Sequence, residues 1–371
     1  MKKLIACLSV LGILLVSCAP AGDDGTGPIK LGFLGALTGD AAALSADQLH
    51  AVQMAVEELN AAGGINGRMV EIVAEDGKCS GTDAASAVQK LVNIDKVPVI
   101  IGGLCSGETL AASPIVESAK VVLLSPGSSS PDITKAGDFV FRNYPSDAWK
   151  TKAMAKYANE SELKRIAILS ENTDYSQALL ASLKADLPEG AVVFDESFEP
   201  GTKDYRSLLT RLQSMEFDAL VANANSDALS ALIVQQFRDM GFKEEIIGAD
   251  TMESAVVIDI GEAAEGVTII NVPTAGEGTP YETKFIAKYG APQSSIAWAS
   301  YAHDAANVLF DAMKAVGTDG SAIRDYLYEV SYSGIIGSFT FDDNGDPVGI
   351  SYVLKKIENG KIVTKRPLPL E

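Results

Sequence analysis

Histidine, tryptophan, cysteine and positive charge are all scarce in this 371-residue chain, which holds two His, two Trp and four Cys. With His50 and His303 as the only histidines, chemistry that needs an imidazole base has few places to sit. Lys and Arg number 30 against 49 Asp and Glu, a net charge of −19. So acidic a surface repels phosphate backbones and anionic headgroups, which excludes nucleic acid as a partner and leaves any membrane contact to a lipid. No G-x-G-x-x-G or G-x-x-x-x-G-K-[ST] follows a strand-like run, and no His/Cys/Asp group has zinc spacing, so neither a cofactor nor a metal is expected. Asp342, Asn344 and Asp346 have the spacing that opens a calcium loop, but Pro347 and Val353 stand where that loop needs Gly and Glu. Apolar runs of the roughly 20 residues needed to span a membrane are also missing.

What is present begins at the front. Met1-Lys2-Lys3, the apolar run 4–16 and Ser17-Cys18 form a charged region, a hydrophobic region and a small-residue cleavage site, an export signal over residues 1–17. Leu15-Val16-Ser17-Cys18 resembles the bacterial lipobox, so Cys18 is the expected lipidation site and residues 18–28 a flexible tether. Removing the signal leaves 371 − 17 = 354 residues, with 28 basic and 49 acidic side chains and a net charge of −21. That length suits two lobes better than one core. Cys7 departs with the signal. Cys79 and Cys105 remain in an oxidising compartment, where a disulfide is expected and two buried free thiols are the alternative.

The body alternates short β-rich runs with amphipathic segments of helical length, the pattern of βαβ units around parallel sheets. Strands are expected at 29–34, 70–74, 99–102 and 121–125, separated by helices at 46–61, 82–94 and 108–118. Val52, Ala55, Val56 and Leu59 show the helical spacing in the first of these. After 139–143 and the turn Tyr144-Pro145-Ser146-Asp147, strands recur at 165–169, 192–194, 219–222, 246–248 and 267–271. The expected fold class is therefore α/β, two doubly wound lobes with a ligand cleft between them. The Gly-, Thr- and Pro-rich stretch 273–280 predicts a further crossing between lobes. Helices are expected at 281–289 and 298–316. Strands near 337–341 and 352–357 are expected to pair as a C-terminal hairpin through Asp342-Asp343-Asn344-Gly345-Asp346.

Three groups of residues could carry function. Gly103-Leu104-Cys105-Ser106-Gly107 imitates a nucleophile elbow, but a Cys105 bonded to Cys79 is no nucleophile. Cys105-Ser106-Gly107 and Ser125-Pro126-Gly127-Ser128-Ser129-Ser130-Pro131 follow neighbouring strands, and hydroxyls with free N–H groups at a helix start can seat a carboxylate. Capping and turn formation alone would also explain them. Asp250, just past a buried strand, could pair a cation or simply cap. Tyr175 could be a cation–π wall and Trp298 a pocket wall, or both could belong to the core.

These motifs lead to a resemblance that covers nearly all of the mature chain. Gly35-Ala36-Leu37-Thr38-Gly39, Asn60-Ala61-Ala62-Gly63-Gly64-Ile65-Asn66-Gly67, Ile101-Gly102-Gly103-Leu104-Cys105-Ser106, Leu124-Ser125-Pro126-Gly127 and Ala263-Ala264-Glu265-Gly266 carry it. The chain resembles type I periplasmic binding proteins of the leucine/isoleucine/valine-binding kind. The resemblance implies Rossmann-like lobes joined by three crossovers, lobe 1 holding 29–145 plus 274–348 and lobe 2 holding 146–273 plus 349–371, and it implies a Cys79–Cys105 bridge. It implies that Ser106 and Ser129, with backbone groups of Leu104, Gly127 and Ser128, hold a ligand α-carboxylate, that Asp250 pairs the α-ammonium and that Tyr175 closes from lobe 2. Leu44 and Asn225 stand where branched-chain binders have aromatic side chains, and Asp250 is one methylene shorter than the usual glutamate. The implied role is capture of an amino acid for the permease and ATPase subunits of an ABC importer by a monomeric, lipid-anchored protein. A ligand sensor of the same fold is the rival reading.

Overall fold

The computed structural model describes residues 27–370, so the expected export signal, the expected lipidation site Cys18 and most of the expected tether lie outside the described residues. Five apolar runs, β1 (Ile29–Gly35), β2 (Val70–Asp76), β3 (Val99–Ile101), β4 (Val122–Ser125) and β5 (Val140–Arg142), form a parallel sheet in the order β2-β1-β3-β4-β5. β3 and β4 are buried at every position, because helices cover both faces. α1 (Ala42–Ala61), α2 (Gly81–Lys90) and α3 (Ser106–Ala119) make the connections.

The chain then enters a second sheet through α4 (Asp147–Glu160), β6 (Ile166–Glu171), α5 (Asp174–Asp186), β7 (Val192–Phe198), α6 (Arg206–Leu212), β8 (Ala219–Asn223), α7 (Asp227–Asp239), β9 (Glu245–Gly248), α8 (Ala255–Ile258) and β10 (Thr268–Asn271). Its parallel part runs β7-β6-β8-β9-β10, the same winding as the first sheet. α9 (Pro280–Tyr289), α10 (Ile296–Val316) and α11 (Gly320–Glu329) return to the first lobe. There Ala302, Ala305, Leu309 and Met313 of α10 share one buried core with Ala51, Val52, Ala55 and Leu59 of α1. Among the described helices none is long and apolar enough to cross a membrane.

The C-terminal hairpin expected from the sequence does not form. β12 (Gly337–Phe341) pairs with β11 (Ser331–Gly334) and, through the expected Asp342–Asp346 turn, with β13 (Pro347–Val348). β14 (Tyr352–Glu358) lies in the other sheet, antiparallel to β10 and to β15 (Lys361–Leu368). The turn was correctly placed but its partner was not, because the chain changes lobes between Val348 and Tyr352. β11 and β15 were not anticipated. Both are largely exposed edge strands without clear alternation, and β15 carries Pro367, which an edge tolerates.

Side chains tie the three crossings together. Tyr144 Oη donates to Asn271 Oδ1 at 2.7 Å and Tyr352 Oη to the Ser146 carbonyl at 3.1 Å. Fully buried Arg142 forks onto Asp346 at 2.6 and 2.9 Å, a bidentate pair. Buried Lys355 meets both Glu253 oxygens at 2.6 Å and Thr274 Oγ1 at 2.7 Å.

Cys79 and Cys105 are bonded, with Cα atoms 5.3 Å apart and a separation of 26. Glu108 is buried beneath them. Its Oε1 accepts from Cys79 N and its Oε2 from Cys105 N, each at 3.0 Å. Burial pushes its carboxyl up to about 7, against the opposing pull of those N–H donors.

Two outcomes are expected. Closing the loop between these cysteines should contribute about 3.5 kcal/mol in the chain-entropy account, so reductant or a Cys79→Ala/Cys105→Ala variant should lower the denaturant midpoint; an unmoved midpoint would show the bridge to be energetically idle. A carboxyl with a raised folded pKa keeps a proton that the unfolded chain has lost, so its contribution is full below 4.5 and is lost as pH rises through about 7. That corresponds to ~3 kcal/mol, and the stability of the wild type minus that of Glu108→Gln should fall across this window in chemical denaturation. A flat difference would mean that Glu108 titrates normally.

Candidate functional site

Both sheets reverse their chain order at one point, between β1 and β3 in the first and between β6 and β8 in the second. Loops leaving the carboxyl ends of strands diverge there and open a crevice, the usual ligand position in such sheets. The loop after β3 starts at Gly102, whose φ of +133° suits glycine and where a Cβ would stand 2.0 Å from the Leu34 carbonyl oxygen. This tight passage sets Leu104, Cys105 and Ser106 at the start of α3. The loop after β4 brings Gly127 against Leu104, where a Cβ would meet Leu104 Cδ1 at 2.9 Å.

Ser106 opens α3, whose first N–H groups have no partner within the helix and carry the positive end of its dipole. Ser106 Oγ accepts from Ser130 N at 3.1 Å, which leaves its own proton free to donate. The neighbouring hydroxyls are engaged. Ser125 Oγ donates to the Gly103 carbonyl at 2.7 Å and accepts from Ser128 N at 2.9 Å, while Ser128 Oγ reaches the Gly103 and Leu104 carbonyls at 3.0 and 3.2 Å. Ser129, expected to hold a carboxylate beside Ser106, donates instead to Asp147 Oδ2 at 2.9 Å, and its carbonyl accepts from Asp147 N at 2.7 Å.

From the second lobe, Tyr175 starts α5 after β6, Asn225 follows β8 and Asp250 follows β9. Tyr175 Oη donates to Asp250 Oδ1 at 2.7 Å. Asn225 Nδ2 lies 3.0 Å from Cys79 Sγ, and Lys203 meets Asp40 at 2.7 Å, so the lobes touch. Leu104, Ser106, Gly127, Tyr175, Asn225, Asp250 and Trp298 line one cavity with Leu44, Cys105 and Thr251, while Ser128 and Ser129 stay outside its lining. Its volume is about 20 Å³, near that of a single water site. A cavity of that size holds no amino acid, and such a ligand requires it to widen. The bonded Cys105 offers no thiol for the nucleophile reading.

Two residues were missed. Asp147 and Lys150, in the first turn of α4, are fully buried, with Lys150 Nζ 2.6 Å from Asp147 Oδ1 and 3.2 Å from Asp250 Oδ1. Burial pushes Asp147 up to about 6 against the pull of Lys150. Burial alone would push Lys150 down, but the two carboxylates outweigh it and hold it above its ordinary value. Asp147 ends a turn and Lys150 follows it by one helical turn, and that spacing is the sole sequence signal of their contact.

The comparisons with known proteins agree with this architecture. A family profile described as "Periplasmic binding protein" matches residues 28–361. The Leu/Ile/Val-binding protein of Escherichia coli K12 is 28% identical over 332 residues, covering 87% of this chain and 89% of that one. The leucine-specific-binding protein of Salmonella typhimurium is 28% identical over 351 residues, covering 91% and 92%. Among solved structures, a branched-chain amino acid transporter substrate binding protein from Streptococcus pneumoniae, in complex with isoleucine, has a TM-score of 0.83 at 29% identity, covering 92% of this chain and all of that one (100%). A leucine binding protein from Thermotoga maritima also has a TM-score of 0.83, at 28% identity, covering 92% and 98%. With its profile match spanning both lobes and its paired sheets wound alike around a shared cleft, the chain belongs to the periplasmic binding protein family.

Proposed function

We propose that this protein is the capture component of an ABC importer, closing over an aliphatic amino acid and delivering it to permease and ATPase subunits. The observation that carries this reading is a cavity that Ser106 from one lobe and Asp250 from the other line together. An N–H and hydroxyl seat facing a carboxylate is complementary to a zwitterion. In this reading the α-carboxylate lies on Ser106 and the start of α3, with backbone groups of Leu104 and Gly127 around it, while Ser128, whose N–H is held by Ser125 Oγ, stays behind the cavity wall. The α-ammonium faces Asp250 and the Tyr175 ring, while Leu44, Asn225 and Trp298 surround the side chain. The names of the relatives, which specify leucine, isoleucine and valine, support an aliphatic ligand. Lobes 29–145 plus 274–348 and 146–273 plus 349–371 move as two bodies about crossings near Tyr144, Thr274 and Val348. The protein acts as a monomer, exported by residues 1–17 and anchored through Cys18 on the outer side of a bacterial membrane. It binds without chemistry.

Asp250→Ala and Ser106→Ala should each weaken leucine binding at least about tenfold, since each leaves a buried ligand charge unpaired. Unchanged affinity of both variants in titration calorimetry would overturn the site assignment. In a thermal-shift screen of all amino acids, a ligand at a hundred times its Kd stabilises by about 2.7 kcal/mol, and the largest rise in Tm is expected from aliphatic ones. No shift from any amino acid would overturn the ligand class.

A further inference from the structure

Lys150 sits where helix electrostatics disfavour it, in the first turn of α4, beside the positive end of the helix dipole. It is also fully buried, and a buried ammonium is unstable unless carboxylates meet it. Two do, Asp147 at 2.6 Å and Asp250 at 3.2 Å, though neither contact is aligned as a hydrogen bond. The rings of Tyr144 and Tyr175 lie 5.5 and 5.9 Å from the same nitrogen. One positive and two negative groups sum to 1 − 2 = −1. The nearby Lys355–Glu253 pair is neutral in itself and leaves that sum unchanged.

The uncompensated charge has a direction. Asp250 Oδ1 takes both the Tyr175 hydroxyl and Lys150, whereas among the described residues no hydrogen-bond donor reaches Oδ2. Asp250 lines the cavity, and Lys150 lies behind it.

We propose that Lys150 is a specificity-determining residue: with Asp147 and Asp250 it sets the formal charge of the cleft floor at minus one, so that closure requires one cationic group on the buried head of the ligand. The inference rests on the amino-acid reading above and adds what enforces it. A carboxylate without an α-ammonium would leave the negative charge buried and unpaired. Without Lys150 the floor would carry two negative charges; without the Asp147 charge it would carry none, and the demand for an ammonium would vanish.

The test compares L-leucine with 4-methylpentanoate, its des-amino counterpart, by titration calorimetry on the wild type, Asp147→Asn, Lys150→Gln and the Asp147→Asn/Lys150→Gln double variant, each checked for folding by circular dichroism. The reading is the ratio of the two Kd values. In the wild type leucine should bind at least about a hundredfold tighter, and in Asp147→Asn this ratio should fall about tenfold or more. In the double variant, whose floor is again minus one, the ratio should return to within about threefold of the wild type. A purely structural role would weaken both ligands alike and would not be rescued. Should Asp147→Asn fail to fold, a ratio that differs between Lys150→Gln and the double variant carries the same argument. A ratio unmoved across the folded variants overturns the inference while leaving the amino-acid reading intact. A wild type that binds no amino acid overturns that reading instead.

Discussion

Charge withdrawn from water between the two lobes constrains much of the rest of this molecule. Asp147, Lys150 and Asp250 are all buried, and a group of this kind persists in low dielectric only if its members stay within a few ångströms of one another. Their elements are fixed accordingly. α4 begins at the first crossing, so that its opening turn faces the carboxyl end of β9. Tyr175 at the head of α5 donates to the same Asp250 oxygen that Lys150 meets. Ser129 joins the same group from the other lobe, through its hydroxyl and its carbonyl, so the loop after β4 and Asp250 after β9 are linked by one chain of contacts.

That linkage explains why the crossings need so much polar support. Chain segments that cross between two sheets bury polar groups that need partners, and side-chain hydrogen bonds supply them here. Tyr144 to Asn271, Tyr352 to Ser146 and the Arg142–Asp346 fork each join one crossing to another, with both partners satisfied. Lys355 and Glu253 add an ion pair beside the same seam. The disulfide and the Glu108 beneath it stiffen the opposite side, where Leu104 and Ser106 are presented.

Much of the fold was legible because burial in parallel sheets leaves a local trace. Val99, Ile100 and Ile101, or Val122, Leu123 and Leu124, are apolar at consecutive positions, which only a strand covered on both faces requires. Where burial is slight the trace disappears, as in β11 and β15. Of the site, the loops after β3 and β4 and Asp250 after β9 were visible, because small and polar residues past a buried strand mark a crevice. Asp147 and Lys150 were not, since their significance comes from Asp250, a hundred residues away along the chain.

The amino-acid sequence by itself determined the alternation of strands and helices, the two-lobed class and the loops that could meet a ligand. These depend on periodicity and composition within a few tens of residues. Tertiary structure alone decided that β14 joins the second sheet rather than β12, that the hydroxyl of Ser129 turns to Asp147, and that a lysine lies between two carboxylates at the cleft floor. The physical reason is that the energy of a buried charge depends on its distance from other charges in space, and that distance is set by the order of strands in two sheets and by the angle at which their shared crossings hold them.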